Sequence, residues 1–141
     1  MKHLFRALLA AATAMLLLTA CLAPAVAESL PKGFPPNPIR AQSEAPFAGH
    51  WALRCLFSQG RYVSADASGL SITLDISEGS VGLTTNGYSF KSDSALDPEG
   101  TLKITDADGT VTHFNLNDDG SISCLQNMQG IIVVLYFDRR S

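Results

Sequence analysis

After Gly49 the apolar residues of the chain recur at every second position, in short runs separated by glycine-containing turn segments. In "HWALRCLF" this spacing puts Trp51, Leu53, Cys55 and Phe57 on one face. In "LSITLDIS" it turns Leu70, Ile72, Leu74 and Ile76 inward and Ser71, Thr73 and Asp75 outward. Period two with β-branched residues predicts half-buried strands. Further strands are predicted over 81–85, 88–92, 101–105, 110–116, 121–126 and 131–137, with a weaker one over 61–65. Their connections are "SEGS", "NG", "DADG", "NDDG" and "MQG". Of these, Asn86-Gly87 is the strongest hairpin signal, because a two-residue primed turn needs positive φ at both positions. No helical stripe is evident in this part of the chain, although "SALDPEG" has room for one turn. Sequential strands joined by tight turns predict an all-β fold, a small antiparallel up-and-down barrel of about eight strands, with a β-sandwich as the alternative. The last strand, "IIVVLYF", is apolar on both faces and should be central or covered rather than an exposed edge.

The first residues read differently. Lys2 and Arg6 precede an uninterrupted apolar or small run, "ALLAAATAMLLLTA". A charged start, an apolar stretch and small-residue cleavage signals predict a secretory signal peptide over 1–20, with an alternative cleavage after residue 27 at Ala25-Val26-Ala27. An uncleaved membrane anchor is the competing reading, opposed by Pro24 and by the two cleavage patterns. Residues 21–46 follow as a Pro-rich tether. "ESLPKGFPPNPIRAQSEAP" holds five of the seven prolines and shows neither strand nor helix periodicity. Extended, that stretch would reach roughly 60 Å; the alternative is an arm packed on the domain through Phe34. The globular unit is then 47–141.

Leu18-Thr19-Ala20-Cys21 resembles a bacterial lipobox at all four positions. The resemblance implies lipidation of Cys21 and anchoring to a membrane through several acyl chains, where one chain alone is marginal. Leu22, in place of an aspartate after the cysteine, implies an outer-membrane lipoprotein facing the periplasm or the surface. If the other site is cut, the protein is soluble in the periplasm or secreted.

Charge narrows the partners. Beyond residue 27 the chain has eight Lys/Arg against thirteen Asp/Glu, a formal net charge of −5. Nucleic-acid binding needs a cationic face, and Arg139-Arg140 is the one adjacent basic pair in this part. Nucleic acid is therefore excluded as a partner. Cys55 and Cys124 are the two cysteines left after Cys21 is lipidated or discarded. In an exported chain they are expected to form a disulfide, worth roughly 4 kcal/mol for so long a loop.

Candidate chemistry is sparse. His50 and His113 are the two histidines of the exported part, too few to assemble a zinc site or a catalytic triad readily. The motifs G-x-S-x-G, H-E-x-x-H, C-x-x-C and the P-loop do not occur. No enzyme activity and no cofactor are expected. "NLNDDGSISCLQ" approximates a calcium loop through Asn115, Asn117, Asp119 and Gly120. Its last position is Gln126 rather than a bidentate glutamate, so it reads as a hairpin turn.

Gly49-His50-Trp51 near the first strand, with Arg139 after the last, resembles the lipocalin arrangement. That resemblance implies an indole plugging one end of a barrel under a stacked guanidinium. "FAGHWALRC" is also similar to the opening of the metalloprotease-inhibitor group at Ala48, Gly49, Trp51 and Leu53. A lipobox, a spacer and a small barrel together resemble the envelope inhibitors of lysozymes and secreted proteases. The expected function is thus a non-enzymatic, protein-binding envelope module that inhibits a lysozyme or protease. Its contact residues would be Lys91, Asp93, Asp97 and Glu99 in an acidic loop, "KSDSALDPEG", together with Trp51. The alternative is a carrier whose cavity, lined by Trp51, Ile72, Leu74 and Phe90, holds a small apolar ligand.

Overall fold

The alternation read from the sequence closes into a ring of strands. The computed structural model describes residues 29–140 apart from positions 86, 107, 108 and 129, so the expected signal peptide, Cys21 and Asn86 of the expected hairpin lie outside the described residues. The strands are β1 (Pro38–Ile39), β2 (Gly49–Ser58), β3 (Arg61–Ser64), β4 (Ile72–Ser77), β5 (Ser80–Thr85), β6 (Tyr88–Leu96), β7 (Leu102–Thr105), β8 (Val111–Asn117), β9 (Ile122–Met128) and β10 (Ile131–Arg140). A short helix, α1 (Ala65–Ser68), follows β3. It is capped by the Ser64 hydroxyl, which accepts from the Ala67 amide, and ended by Gly69 at φ 73°.

β4 to β9 pair antiparallel in sequence, β9 pairs with β10, β10 with β2, and β2 with β4. Eight strands therefore close an antiparallel barrel, and the sandwich alternative falls away. β1 and β3 are additions on its outside, β1 beside the end of β8 and β3 beside the second half of β2. The interior is filled by the inward side chains of the ring, among them Trp51, Leu74, Leu83, Ile104, Phe114 and Phe137. β10 is central, flanked by β2 and β9, as its two apolar faces require.

One irregularity changes the chemistry. Between β2 and β10 the register runs Tyr136↔Cys55 and then Phe137↔Leu53, so Arg54 is an extra residue on β2. A bulge moves the side chains beyond it to the other face. Trp51 and Leu53 point into the barrel before it; Leu56 does so after it, while Cys55 and Phe57 turn outward. The predicted single face of Trp51, Leu53, Cys55 and Phe57 is broken there.

The expected disulfide fails for the same reason. Cys124 belongs to the interior cluster and Cys55 to a second cluster outside the wall. Strand β10 lies between them, with Tyr136 opposite Cys55 and Leu135 opposite Cys124. Two strand spacings separate the chains by roughly 10 Å, beyond the Cα separation of about 4.4–6.8 Å that a disulfide spans. No disulfide joins them.

Residues 34–47, at the end of the expected tether, lie against the barrel. Pro38 and Ile39 pair with Asn117 and Leu116, Ala41 is buried, and its amide donates to Gly100 O at 3.0 Å. The segment meets β2 through a single 3₁₀ turn at Ala45–Phe47.

Candidate functional site

At one end of the barrel Trp51 is wholly buried, and its Nε1 donates to Phe47 O at 2.8 Å. The Arg139 guanidinium lies 4.4 Å from the indole centroid and donates to Ala48 O and Pro46 O, each at 2.6 Å. This geometry needs Gly49: a Cβ there would come within 2.5 Å of Arg139 Nη1. Trp51, expected among the binding residues, is thus a plug whose ring is covered from outside by a cation.

The acidic segment 91–100 is divided between two surroundings. Lys91 and Asp93 stand on the outer face of β6, which runs to Leu96 where a loop was expected. Asp97 and Glu99 lie in the tight turn to β7. Asp97 Oδ1 accepts from the amides of Glu99 and Thr101 at 2.9 and 3.1 Å, and its Oδ2 lies 3.2 Å from His113 Nδ1. Burial alone would raise its pKa, but the hydrogen bonds from Thr101 and Glu99 and the nearby His113 outweigh it and hold the carboxyl below its ordinary value. Arg40 donates to Pro98 O in the same turn. Asp97 is committed to the turn's own structure, while Lys91 and Asp93 are exposed on β6. The neighbouring "NDDG" turn behaves alike: Asp119 accepts from the amide and hydroxyl of Ser121 at 2.9 and 2.6 Å and from Arg54 at 3.0 Å. It is a hairpin turn.

What Lys91 does share is a row across the outside of the sheet. His50, Asp75, Gly82 and Lys91 are successive partners in register on β2, β4, β5 and β6. His50 Nδ1 is paired with Asp75 Oδ1. Gly82, with no side chain, opens a groove of about 530 Å³ between Asp75 and Lys91, bordered by the hydroxyls of Ser80, Thr84 and Ser89. No family model, curated protein or solved structure matches the chain.

A second surface lies on the opposite side, over β2, β9 and β10. Phe34, from the arm, sits edge-on against Phe57, Tyr62 and Tyr136 with centroids 5.2, 5.0 and 4.9 Å away. Arg54 lies 5.7 Å from the Phe34 ring and pairs with Asp119 at 3.0 Å and Asp138 at 3.6 Å. Burial, and then the neighbouring Cys55, raise the pKa values of Tyr62 and Tyr136. From this cage an apolar row continues outward in register: Phe57 opposite Val134, and Val134 opposite Leu125. Leu125 is 52% exposed and Ile132, two residues before Val134, is 48% exposed.

Neither surface was singled out from the sequence. A signal for the groove is present as the glycine in "SVGLTT", on a strand and outside any turn. For the apolar row it lies in the outward residues of "IIVVLYF", more apolar than a solvated face requires.

Proposed function

We propose that the protein is a non-enzymatic, protein-binding module of the bacterial envelope, exported and tethered by lipid at Cys21, which engages and inhibits an incoming hydrolase. The observation that carries this reading is the exposed apolar row of Leu125 and Ile132 beside the Phe34 cage. Contiguous apolar side chains exposed on neighbouring strands mark interaction surfaces, and such anchors provide the core of protein interfaces. The net charge of −5 on the exported part favours a cationic partner, of which a lysozyme is the leading example, through electrostatic steering.

The test uses the full-length lipoprotein in native vesicles, with lysozyme and secreted proteases added at increasing concentration. Inhibition of one of them by the wild type, lost in Leu125→Asp/Ile132→Asp, supports the reading. A full panel of uninhibited hydrolases, or inhibition indifferent to the double substitution, contradicts it. The carrier alternative finds less support. Trp51, Ile72 and Leu74 are at most 2% exposed and packed in one cluster with their neighbours. An apolar molecule co-purifying with the barrel would revive it.

A further inference from the structure

Gly82 is set apart from the other glycines by its backbone. Of the eleven glycines of the chain, the other ten adopt positive φ, which side-chain-bearing residues rarely adopt. Gly82 lies inside β5 with both neighbouring strands in register. A Cβ added there would meet Asp75 Cβ at 3.7 Å and the carbonyl oxygens of Asp75 and Phe90 at 3.8 Å, ordinary contact distances. A side chain would fit, and strand interiors favour one. Its absence leaves the groove open. Glycine inside a strand is found at a bulge, at a bend of a barrel, or where a ligand approaches the backbone; no bulge interrupts β5 here.

The walls state what the ligand offers. Asp75 presents a hydrogen-bond acceptor on one side and Lys91 a donor on the other, with Gly82 as the floor between them. A carboxylate would meet Asp75 unfavourably, and a cation would meet Lys91 unfavourably. A neutral group carrying both a donor and an acceptor satisfies both walls, and an amide is such a group. With a hydrogen bond of about 2.9 Å at each end, a trans amide spans roughly 8 Å, comparable with the roughly 10 Å between the backbones of β4 and β6. The groove is rimmed by Ser80, Thr84 and Ser89, and Thr84 Oγ1 lies 3.0 Å from Ser89 Oγ. Hydroxyls suit the hydroxyls of a sugar ring, whereas a peptide strand would ask for pockets that take alternate side chains.

We infer that the groove over Gly82, between Asp75 and Lys91, binds an N-acetylated hexosamine glycan, the acetamido N–H donating to Asp75 and its C=O accepting from Lys91. His50 acts as a positioning residue, holding one oxygen of Asp75 so that the carboxylate stands in fixed orientation. The site lies apart from the apolar row on β9 and β10, and neither depends on the other.

The test titrates the full chain with three probes, followed by chemical-shift changes: N-acetylglucosamine tetramer, cellotetraose and tetraglycine. The first carries hydroxyls and amides, the second hydroxyls alone, the third amides alone. The expected result is binding of the N-acetylglucosamine tetramer at least tenfold tighter than of either other probe, with shifts centred on Ser80–Thr84 and Ser89–Lys91. Gly82→Val, which puts a side chain on the floor with its Cβ at ordinary contact distances, and Lys91→Met, which removes the donor, should each weaken it at least tenfold while the remaining spectrum keeps its dispersion. Equal binding of tetraglycine would make this a peptide site and overturn the glycan. Equal binding of cellotetraose would remove the role of the amide. Absence of binding, or binding unchanged in Gly82→Val, would remove the site altogether.

Discussion

Arg139→Ala removes the cation stacked on the only tryptophan of the sequence, and the cost can be assembled from its contacts. A guanidinium 4.4 Å from the indole centroid at a partly solvated site contributes about 1 kcal/mol. The two hydrogen bonds to Ala48 O and Pro46 O are charge-assisted. Water can replace the donor at these surface carbonyls, which leaves about 1 kcal/mol for the pair. Uncovering roughly 40 Å² of the indole face costs about another 1 kcal/mol. The expected loss is therefore about 2–3 kcal/mol, or roughly 10–20 °C in Tm for a domain of this size. Urea unfolding followed by Trp51 fluorescence, which reports on this end of the barrel alone, measures it directly. Arg139→Lys should recover the cation–π part and not the paired carbonyl contacts, falling between wild type and alanine. An alanine variant within about 0.5 kcal/mol of wild type would show that the barrel end is held shut by something other than this stack.

Three further outcomes follow from the same structure. Phe34→Ala leaves the cage of Phe57, Tyr62 and Tyr136 unfilled; it should cost about 2 kcal/mol and make Cys55 react faster with iodoacetamide, and an unchanged labelling rate would mean that the arm does not cover it. Asp97 and Asp119 both have folded pKa values depressed below the ordinary 3.8, so their stabilisation is complete above that value and is lost as pH falls through the lower folded one. Asp119→Asn should accordingly reduce the difference in urea midpoint between pH 6 and pH 3, and a wild-type-like difference would refute the assignment. Gly82→Val should raise stability by about 1 kcal/mol through strand propensity and reduced unfolded-state entropy; a thermal melt showing destabilisation would mean that the position needs glycine for the fold.

Much of the barrel can be read directly from side-chain alternation. "ITLDIS" buries Ile72, Leu74 and Ile76 on one face, and Thr85 pairs with Tyr88 where β5 and β6 were expected to form a hairpin. The Trp51–Arg139 stack was legible only through the resemblance of Gly49-His50-Trp51 and Arg139 to the lipocalin arrangement. The bulge at Arg54 was not. "CLF" is apolar in both phases, so periodicity cannot tell which of Cys55 and Leu56 faces inward, and pairing with β10 decides it. The second half of β6 was read as loop because its inward positions, Ser92 and Ser94, are small and polar: Ser92 donates to the buried Asp106 at 2.9 Å instead of packing as an apolar residue would. Helix α1 is a single capped turn, too short to show a period. The groove escaped notice because its defining feature is a missing side chain, whose meaning depends on the cross-strand neighbours Asp75 and Lys91.

The placement of two sulfurs on opposite sides of the barrel wall tests the register of β2, β10 and β9 together. Cys124 is buried within the barrel, and desolvation, only partly offset by a hydrogen bond with Gln126, pushes its thiol up to about 12; it should resist alkylation in the native state at pH 8. The decisive measurement is intact mass after alkylation in denaturant without reductant. Cys55 and Cys124 should each gain one alkyl group. An unalkylated pair with a mass lower by two hydrogens would mean that they are bridged, and the bulge at Arg54, the outward face of Cys55 and the cage built on it would all be wrong.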